Sequence, residues 1–162
     1  MKANRVCALL VALFVCAFVG PAAAQVRFET GSTDSVRRMA QQQNKLVFID
    51  LYANWCPPCR AMERQVFSQQ EVGDFMAKHF IAAKYNVDET TGRELMSEYG
   101  RGSIPLYLVF DTGGNLWGRI EGAAPAGEFM DNLRTVIARY EKRGRNSHGQ
   151  HHGLRTAQRS CA

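Results

Sequence analysis

Two cysteines, two residues apart, follow closely on a short apolar run, and no other feature of the sequence constrains the fold as strongly. Residues 46–49 are Leu-Val-Phe-Ile, which is typical of a buried strand. Cys56 and Cys59 come next, and a helical pattern begins near Pro58 or Cys59. The sequence therefore places both cysteines at a junction between a strand and a helix.

This junction favours a reactive cysteine. Free backbone N–H groups and the positive end of the helix dipole stabilise an anion at a helix N-terminus. The thiolate is the form of cysteine that attacks disulfides, so Cys56 is the predicted nucleophile. Cys59, one turn further on, is placed to attack the mixed disulfide and release the substrate.

A zinc site is the alternative use of such a cysteine pair. Zinc usually takes four protein ligands in a structural site. Residues 25–141 contain no second Cys-X-X-Cys, and their one histidine is His79. We therefore expect no metal in this part of the chain and predict redox chemistry by a Cys56–Cys59 disulfide with no other cofactor.

Asp50 is a third candidate, because it stands among apolar residues at the end of the predicted strand. A charged group inside such a strand is costly unless it is paired or functional. Burial raises a carboxyl pKa, which suits Asp50 for passing a proton to or from Cys59. The alternative is a strand-end aspartate that faces water.

Hydrophobic periodicity gives the order β-α-β-α-β-α-β-β-α. It predicts an α/β fold in which a central mixed sheet is flanked by helices on both faces. A capping box at residues 68–71 is expected to break the helix that follows the cysteines. The predicted strands cover residues 26–29, 46–52, 80–87, 106–110 and 116–120, and the helices 34–43, 59–67, 69–78, 90–99 and 125–140.

The segment from Trp55 to Cys59, placed after a strand, resembles the active site of the thioredoxin family. Further features match in the same order: Asp50, Lys84, the loop Gly102-Ser103-Ile104-Pro105, and Gly122. Residues 50–56, with Met62-Glu63 and Val66-Phe67-Ser68, are similar to the C-terminal periplasmic domain of the thiol:disulfide interchange protein DsbD. The resemblance covers about residues 30–140 and implies a thioredoxin fold.

This resemblance also implies roles for individual residues. Lys84 would pair with Asp50, the alternative being an exposed strand lysine. Glu63, four residues after Cys59, would tune the cysteines, or it would simply face solvent on its helix. The Ile104–Pro105 peptide would be cis, and the backbone of Ile104 would bind the substrate chain like an added strand.

Residues next to the cysteines refine the prediction. Trp55 is expected at an apolar rim beside the sulfur atoms, whereas rim and core packing are both open for Tyr52. Pro57 and Pro58 depart from the pair found in thioredoxin and from that of the DsbD domain. Prolines have no N–H and so remove donors that would stabilise a thiolate. We therefore expect a moderately lowered Cys56 pKa and a reducing rather than strongly oxidising disulfide.

The ends of the chain differ in character from its middle. Residues 1–24 have the basic start, apolar run and small-residue end of a secretory signal peptide, with cleavage predicted before Gln25. The apolar run is about 15 residues, short of the roughly 20 that a membrane span needs, although an uncleaved anchor is the alternative. The prediction is export to the bacterial envelope, the periplasm where an outer membrane exists.

We predict one thioredoxin-like domain over residues 25–141 and a disordered basic tail over residues 142–162. The tail contains His148, His151, His152 and Cys161, which would bind a metal or simply be solvated. Residues 25–140 carry 13 basic and 14 acidic side chains, so the domain is nearly neutral. This balance gives no basic face for nucleic acid.

The predicted function is that of an exported thiol:disulfide oxidoreductase that reduces protein disulfides. Its expected partners are disulfide-containing envelope proteins, such as apocytochrome c, and a membrane electron donor of the DsbD type. A metal-delivery module, and an oxidant or isomerase of the same fold, are the alternatives. The first of these has no need for Asp50 or Pro105.

Overall fold

A computed structural model of the chain describes the backbone of residues 25–157 and the side chains of residues 25–145. The predicted signal peptide, residues 1–24, lies outside the described residues. The strands are β1 (Phe28–Glu29), β2 (Leu46–Tyr52), β3 (Phe80–Asn86), β4 (Leu106–Phe110) and β5 (Leu116–Glu121). The helices are α1 (Thr33–Gln43), α2 (Pro57–Met62), α3 (Gln70–His79), α4 (Thr90–Tyr99) and α5 (Ala126–Ala157), and α2 continues as a π-helical turn over Glu63–Phe67.

The five strands form one mixed sheet in the order β1-β3-β2-β4-β5. β1, β3 and β2 run parallel, and β4 and β5 are antiparallel to their neighbours. The central strand β2 is apolar on both sides because each face of the sheet is covered by helices. The predicted α/β fold and element order are confirmed.

Alternation along β2 divides the core into two layers. Phe48 packs with Phe67 of the π turn and Phe129 of α5 on one face. Val47 and Ile49 pack with α1 and α4 on the other face. Asp50 follows Phe48 at a spacing of two, so its side chain lies on the α2 side of the sheet, beneath the cysteines.

Several element boundaries differ from the prediction. α2 begins at Pro57, one residue before the earliest expected start, because proline fits the first turn of a helix. The capping box is wrong: Gln69 precedes α3, while the Ser68 hydroxyl donates to the carbonyl oxygen of Arg64 at 2.7 Å.

The last helix also differs from its prediction. It continues to Ala157, where the sequence predicted an end near Tyr140 and a disordered tail after Lys142. No proline interrupts residues 126–157, and Arg145 lies 3.9 Å from Glu141 at a helical spacing of four. Residues 158–162 lie outside the described part of the chain.

Candidate active site

The two cysteines form a disulfide at the start of α2. Cys56 is the N-cap residue of the helix, and its sulfur is bonded to that of Cys59 at 2.03 Å. The backbone N–H of Cys59 points at the Sγ of Cys56, with a nitrogen–sulfur distance of 3.2 Å. Both residues are nearly buried, with 2% and 5% of their surfaces exposed. The predicted cysteine pair is therefore in contact, and Cys56 has a hydrogen-bond donor aimed at its sulfur.

The two prolines between the cysteines occupy the first two positions of α2. Neither has an N–H, so neither can donate to the Cys56 sulfur. The Cys59 amide, the first N–H of the helix, donates to the Cys56 sulfur. The moderate stabilisation of the Cys56 thiolate stays a prediction.

Asp50 lies beneath this disulfide and has no partner for one of its carboxylate oxygens. It is 3% exposed, and its Oδ1 has no hydrogen bond within the described part of the chain. Burial raises the pKa of Asp50 to about 7, an effect that the charge of Lys84 opposes and that of Glu63 reinforces. A carboxyl with a pKa near neutrality can both accept and donate a proton at physiological pH.

Lys84 forms its ion pair with Glu63, not with Asp50. The ammonium contacts Glu63 Oε1, although the strand register places Lys84 directly opposite Asp50. The expected Lys84–Asp50 pair is therefore wrong as a direct contact, because Glu63 on the π turn comes within reach of the lysine. Lys84 still acts on Asp50 through its charge.

A small cavity connects the buried acid with the resolving cysteine. Its volume is about 110 Å³, and Asp50, Cys59 and Glu63 are among its lining residues. The remaining wall is formed by Tyr52, Ala53, Asn54 and Arg60. A space of this size is large enough to hold water. Asp50 and Cys59 thus line the same cavity.

The loop before β4 closes the other side of the disulfide. The Ile104–Pro105 peptide is cis, as the resemblance implied. Ile104 packs against the cluster formed by Ala53, Cys56 and Cys59. Gly122, which has a φ of 85°, donates its N–H to the carbonyl oxygen of Pro105 at 2.9 Å. This bond ties the proline loop to the end of β5.

Trp55 lies at the rim of the site, as expected. It is 64% exposed, yet its indole N–H donates to Asp88 Oδ2 at 2.9 Å. Tyr52 is half-buried and packs against the cysteine cluster. The structure thus brings together every predicted site residue: Asp50, Trp55, Cys56, Pro57, Pro58, Cys59, Glu63, Lys84, Ile104 and Pro105. Their chemical roles stay predictions.

Sequence reasoning missed two neighbours of the site. Asp88 follows β3 in an ordinary turn, and nothing in its spacing indicates the contact with Trp55. Tyr107 lies on β4 directly opposite Asp50, and its hydroxyl is buried with no hydrogen-bond partner in the described residues. Burial and the nearby Asp50 raise the pKa of Tyr107 well above its usual range. The sequence did contain one signal for Tyr107, since it is a residue with a hydroxyl in the apolar strand that follows Pro105.

Residues 25–145 contain no group of three or more side chains arranged to hold a metal ion. The side chains of His148, His151, His152 and Cys161 lie outside the described part. No helix within the described residues is long and apolar enough to cross a membrane.

Comparison with known proteins agrees with this geometry. The model of a family described as thioredoxin-like matches residues 29–112. The chain is 30% identical over 103 residues to the thiol:disulfide interchange protein DsbD of Yersinia pestis, an alignment that covers 62% of this chain and 17% of that protein. The chain thus spans about a sixth of the DsbD proteins that it matches.

Solved structures share the fold. A thioredoxin from Thermus thermophilus matches with a TM-score of 0.62 and 25% identity, covering 70% of this chain and 88% of that one. The oxidised C-terminal domain of Neisseria meningitidis DsbD matches with a TM-score of 0.55 and 23% identity, covering 68% and 98%. At that identity the second match bears on the fold alone.

Proposed function

The chain belongs to the thioredoxin-like family, and from this premise we propose that it is an exported thiol:disulfide oxidoreductase that reduces protein disulfides in the bacterial envelope. The observation that carries the proposal is the Cys56–Cys59 disulfide at the start of α2, with Asp50 buried beneath it. The similarity to DsbD supports the same activity.

In the proposed reaction the reduced protein attacks a substrate disulfide. The Cys56 thiolate bonds to one substrate sulfur, and the other substrate sulfur leaves as a thiolate. Asp50 accepts the proton of the Cys59 thiol through the shared cavity. The Cys59 thiolate then attacks the Cys56 sulfur, the second substrate sulfur leaves, and the Cys56–Cys59 disulfide forms. Two electrons pass to the substrate, whose two thiolates take up protons.

The proposed activity also requires a protein substrate and an electron donor. The exposed Trp55 and the backbone of Ile104 would hold the substrate chain beside the disulfide, the latter as an added strand. The substrates would be disulfide-containing envelope proteins, such as apocytochrome c. Export would follow from residues 1–24, with cleavage before Gln25. Outside the cytosol the disulfide would be reduced again by a membrane electron donor of the DsbD type.

The first test is reduction of insulin with dithiothreitol as electron donor, using the chain without residues 1–24. Cys56→Ser should abolish the activity, because the attacking thiolate is lost. Cys59→Ser should trap mixed disulfides, which are detected on non-reducing gels, because the resolving thiol is lost. Cys161→Ser is the matched control and should leave the rate unchanged. Full activity in Cys56→Ser would contradict the proposal.

The second test concerns the direction of electron flow. With two prolines and no histidine between the cysteines, the reduction potential should lie nearer that of thioredoxin, about −270 mV, than that of DsbA, about −120 mV. Equilibration with glutathione measures it. A value in the upper, oxidising half of this interval would replace the reductase with an oxidant or isomerase of the same fold.

A further inference from the structure

The position of the Lys84 ammonium is not explained by strand pairing alone. Lys84 and Asp50 are direct neighbours in the register of β2 and β3, and their side chains lie on the same face of the sheet. Because buried charges in proteins are usually paired, the Asp50 carboxylate is the expected partner of Lys84. Its ammonium instead contacts Glu63, whose side chain is 43% exposed.

Two aromatic rings hold the ammonium in this position. The Lys84 nitrogen lies 5.0 Å from the centre of the Tyr52 ring and 5.6 Å from that of Phe28. Both distances are within the range of about 6 Å for cation–π attraction. An ion pair between two partly exposed groups contributes little on its own. Cation–π attraction to the two rings therefore adds to the Lys84–Glu63 ion pair.

The two rings come from the strands on either side of β3, the strand that carries Lys84. Tyr52 ends β2, six residues from Leu46 at its start. Phe28 belongs to β1 and packs edge-on against Phe67, with ring centres 5.4 Å apart. The two rings thus form a seat for the Lys84 ammonium, and strand pairing and the Phe28–Phe67 contact place that seat.

We propose that Phe28 and Tyr52 are positioning residues that hold the Lys84 ammonium on Glu63 and thereby keep Asp50 free of a direct ion-pair partner. The proposal rests on the proposed function in one respect, since it treats Asp50 as the group that moves a proton. In structural terms, the carboxylates of Asp50 and Glu63 compete for the Lys84 ammonium, and the two rings favour Glu63.

The neighbours of Asp50 explain why this competition matters. The side chains that face Asp50 from the surrounding elements are Lys84 on β3, Glu63 on the π turn, Cys59 on α2, Tyr107 on β4 and Tyr52 on β2. Arg60 also lines the cavity, but its guanidinium donates to the Asn54 carbonyl at 2.6 Å. Lys84 is thus the cation whose movement would change the charge balance at Asp50. A shift of the ammonium towards Asp50 would lower the pKa of that carboxyl.

The test is to remove one ring and follow both side chains by NMR in the purified protein. In Tyr52→Leu, the side-chain CH₂ protons of Lys84 next to its nitrogen should lose part of their ring-current shift. The midpoint of the Asp50 carboxyl titration should fall by about half a pH unit, roughly three-fold in its acid dissociation constant. Tyr52→Phe keeps the ring and is the matched control, in which both signals should stay near those of the parent.

A second pair of variants separates the action of Lys84 from a simple opening of the cavity. In a Lys84→Met background, Tyr52→Leu should no longer lower the Asp50 midpoint. If the fall persists there, or if Tyr52→Leu and Tyr52→Phe have equal midpoints, the proposal is overturned. Phe28→Leu is an independent test of the second ring and should shift both signals in the same direction as Tyr52→Leu. Unchanged Lys84 and Asp50 signals in Phe28→Leu would remove Phe28 from the proposal.

These measurements are independent of catalysis. If the protein failed to reduce insulin while the Lys84 and Asp50 signals moved as described, the proposed function would fail and the seat for Lys84 would stand. The opposite result would leave the oxidoreductase in place and remove the two rings from its mechanism.

Discussion

Polar groups beneath the Cys56–Cys59 disulfide differ from those around it in how they are bonded. Beneath it, Asp50 Oδ1 and the Tyr107 hydroxyl are buried and have no hydrogen-bond partner in the described residues. Around it, the exposed Trp55 indole and the Lys84 ammonium are both bonded, to Asp88 and Glu63 respectively. Of these four groups, the two at the rim have protein partners and the two buried ones have none.

The difference indicates where the fold accepts a cost. An unpaired buried polar group costs about 1–3 kcal/mol, whereas an exposed ion pair contributes about 0–1 kcal/mol. The rim therefore fixes the positions of side chains with little effect on stability. The unpaired groups beneath the disulfide reduce the stability of the fold. One of them, the Asp50 carboxyl, has a pKa at which its protonation state can change near neutral pH.

The largest effect is expected when the buried carboxyl is replaced by an amide, in the substitution Asp50→Asn. The folded-state pKa of Asp50 is about 7 against a reference of 3.8, so its ionised form opposes folding. This cost appears as pH rises above the unfolded pKa and is complete above the folded pKa. Asp50→Asn should therefore be more stable than the parent by up to roughly 4 kcal/mol above about pH 7, and similar to it near about pH 3.

Urea unfolding of the oxidised proteins from about pH 3 to about pH 8 spans both pKa values and measures this gap. Asp34→Asn, at an exposed position in the first turn of α1, is the control and should show no comparable widening. The same Asp50→Asn variant should slow disulfide exchange, because Cys59 loses its proton acceptor. If the difference in free energy of unfolding stayed constant across pH and the rates of disulfide exchange were unchanged, Asp50 would have no part in the mechanism.

Removal of a tyrosine hydroxyl should have a smaller effect on the free energy of unfolding, and the effect should have opposite signs at Tyr107 and Tyr85. Tyr107→Phe removes an unpaired buried hydroxyl and should raise the free energy of unfolding by about 1–2 kcal/mol. Tyr85→Phe removes a hydroxyl that donates to the Gly31 carbonyl at 3.0 Å and should lower it by about 0.5–1.5 kcal/mol. Thermal unfolding of both variants and the parent measures these differences. A decrease in the free energy of unfolding for Tyr107→Phe would mean that the Tyr107 hydroxyl has a partner.

The smallest effect is expected at the rim. The Asp88 carboxylate accepts from the Trp55 indole in an exposed contact. Asp88→Ala should change the free energy of unfolding by less than about 1 kcal/mol, because exposed contacts of this kind contribute little. It should nevertheless accelerate hydrogen exchange at the Trp55 indole N–H. Asp88→Asn keeps an acceptor oxygen and should preserve the slower exchange; identical rates in both variants would argue against the bond.

The sequence predicted most of the fold because its signals are local. The apolar run of β2, the strands predicted over residues 106–110 and 116–120 and the helices predicted over residues 34–43 and 90–99 each depend on nearby residues, and all are confirmed. The end of α5 depends on weaker preferences, since residues 141–157 have no strong breaker such as proline. Its length was accordingly predicted wrongly.

The site was predictable where residues are close along the chain or matched the family. Cys56, Cys59 and Asp50 were found this way, and the structure places them together. The partner of Lys84 was not, because a π turn at Glu63–Phe67 departs from the 3.6-residue period on which helix positions are assigned. Asp88 and Tyr107 were missed because their contacts join residues 33 and 57 positions distant, Trp55 and Asp50.

The outermost strands of the sheet affect the behaviour of the protein at high concentration. β1 pairs through only two residues, Phe28 and Glu29, and offers a neighbouring molecule a very short edge. β5 is longer, but it carries the charged pair Arg119 and Glu121. Short or charged edges discourage strand addition between molecules, which is the first step of many aggregation reactions. A protein proposed to bind the extended segments of its substrate proteins would thereby avoid pairing with them through its own sheet edges.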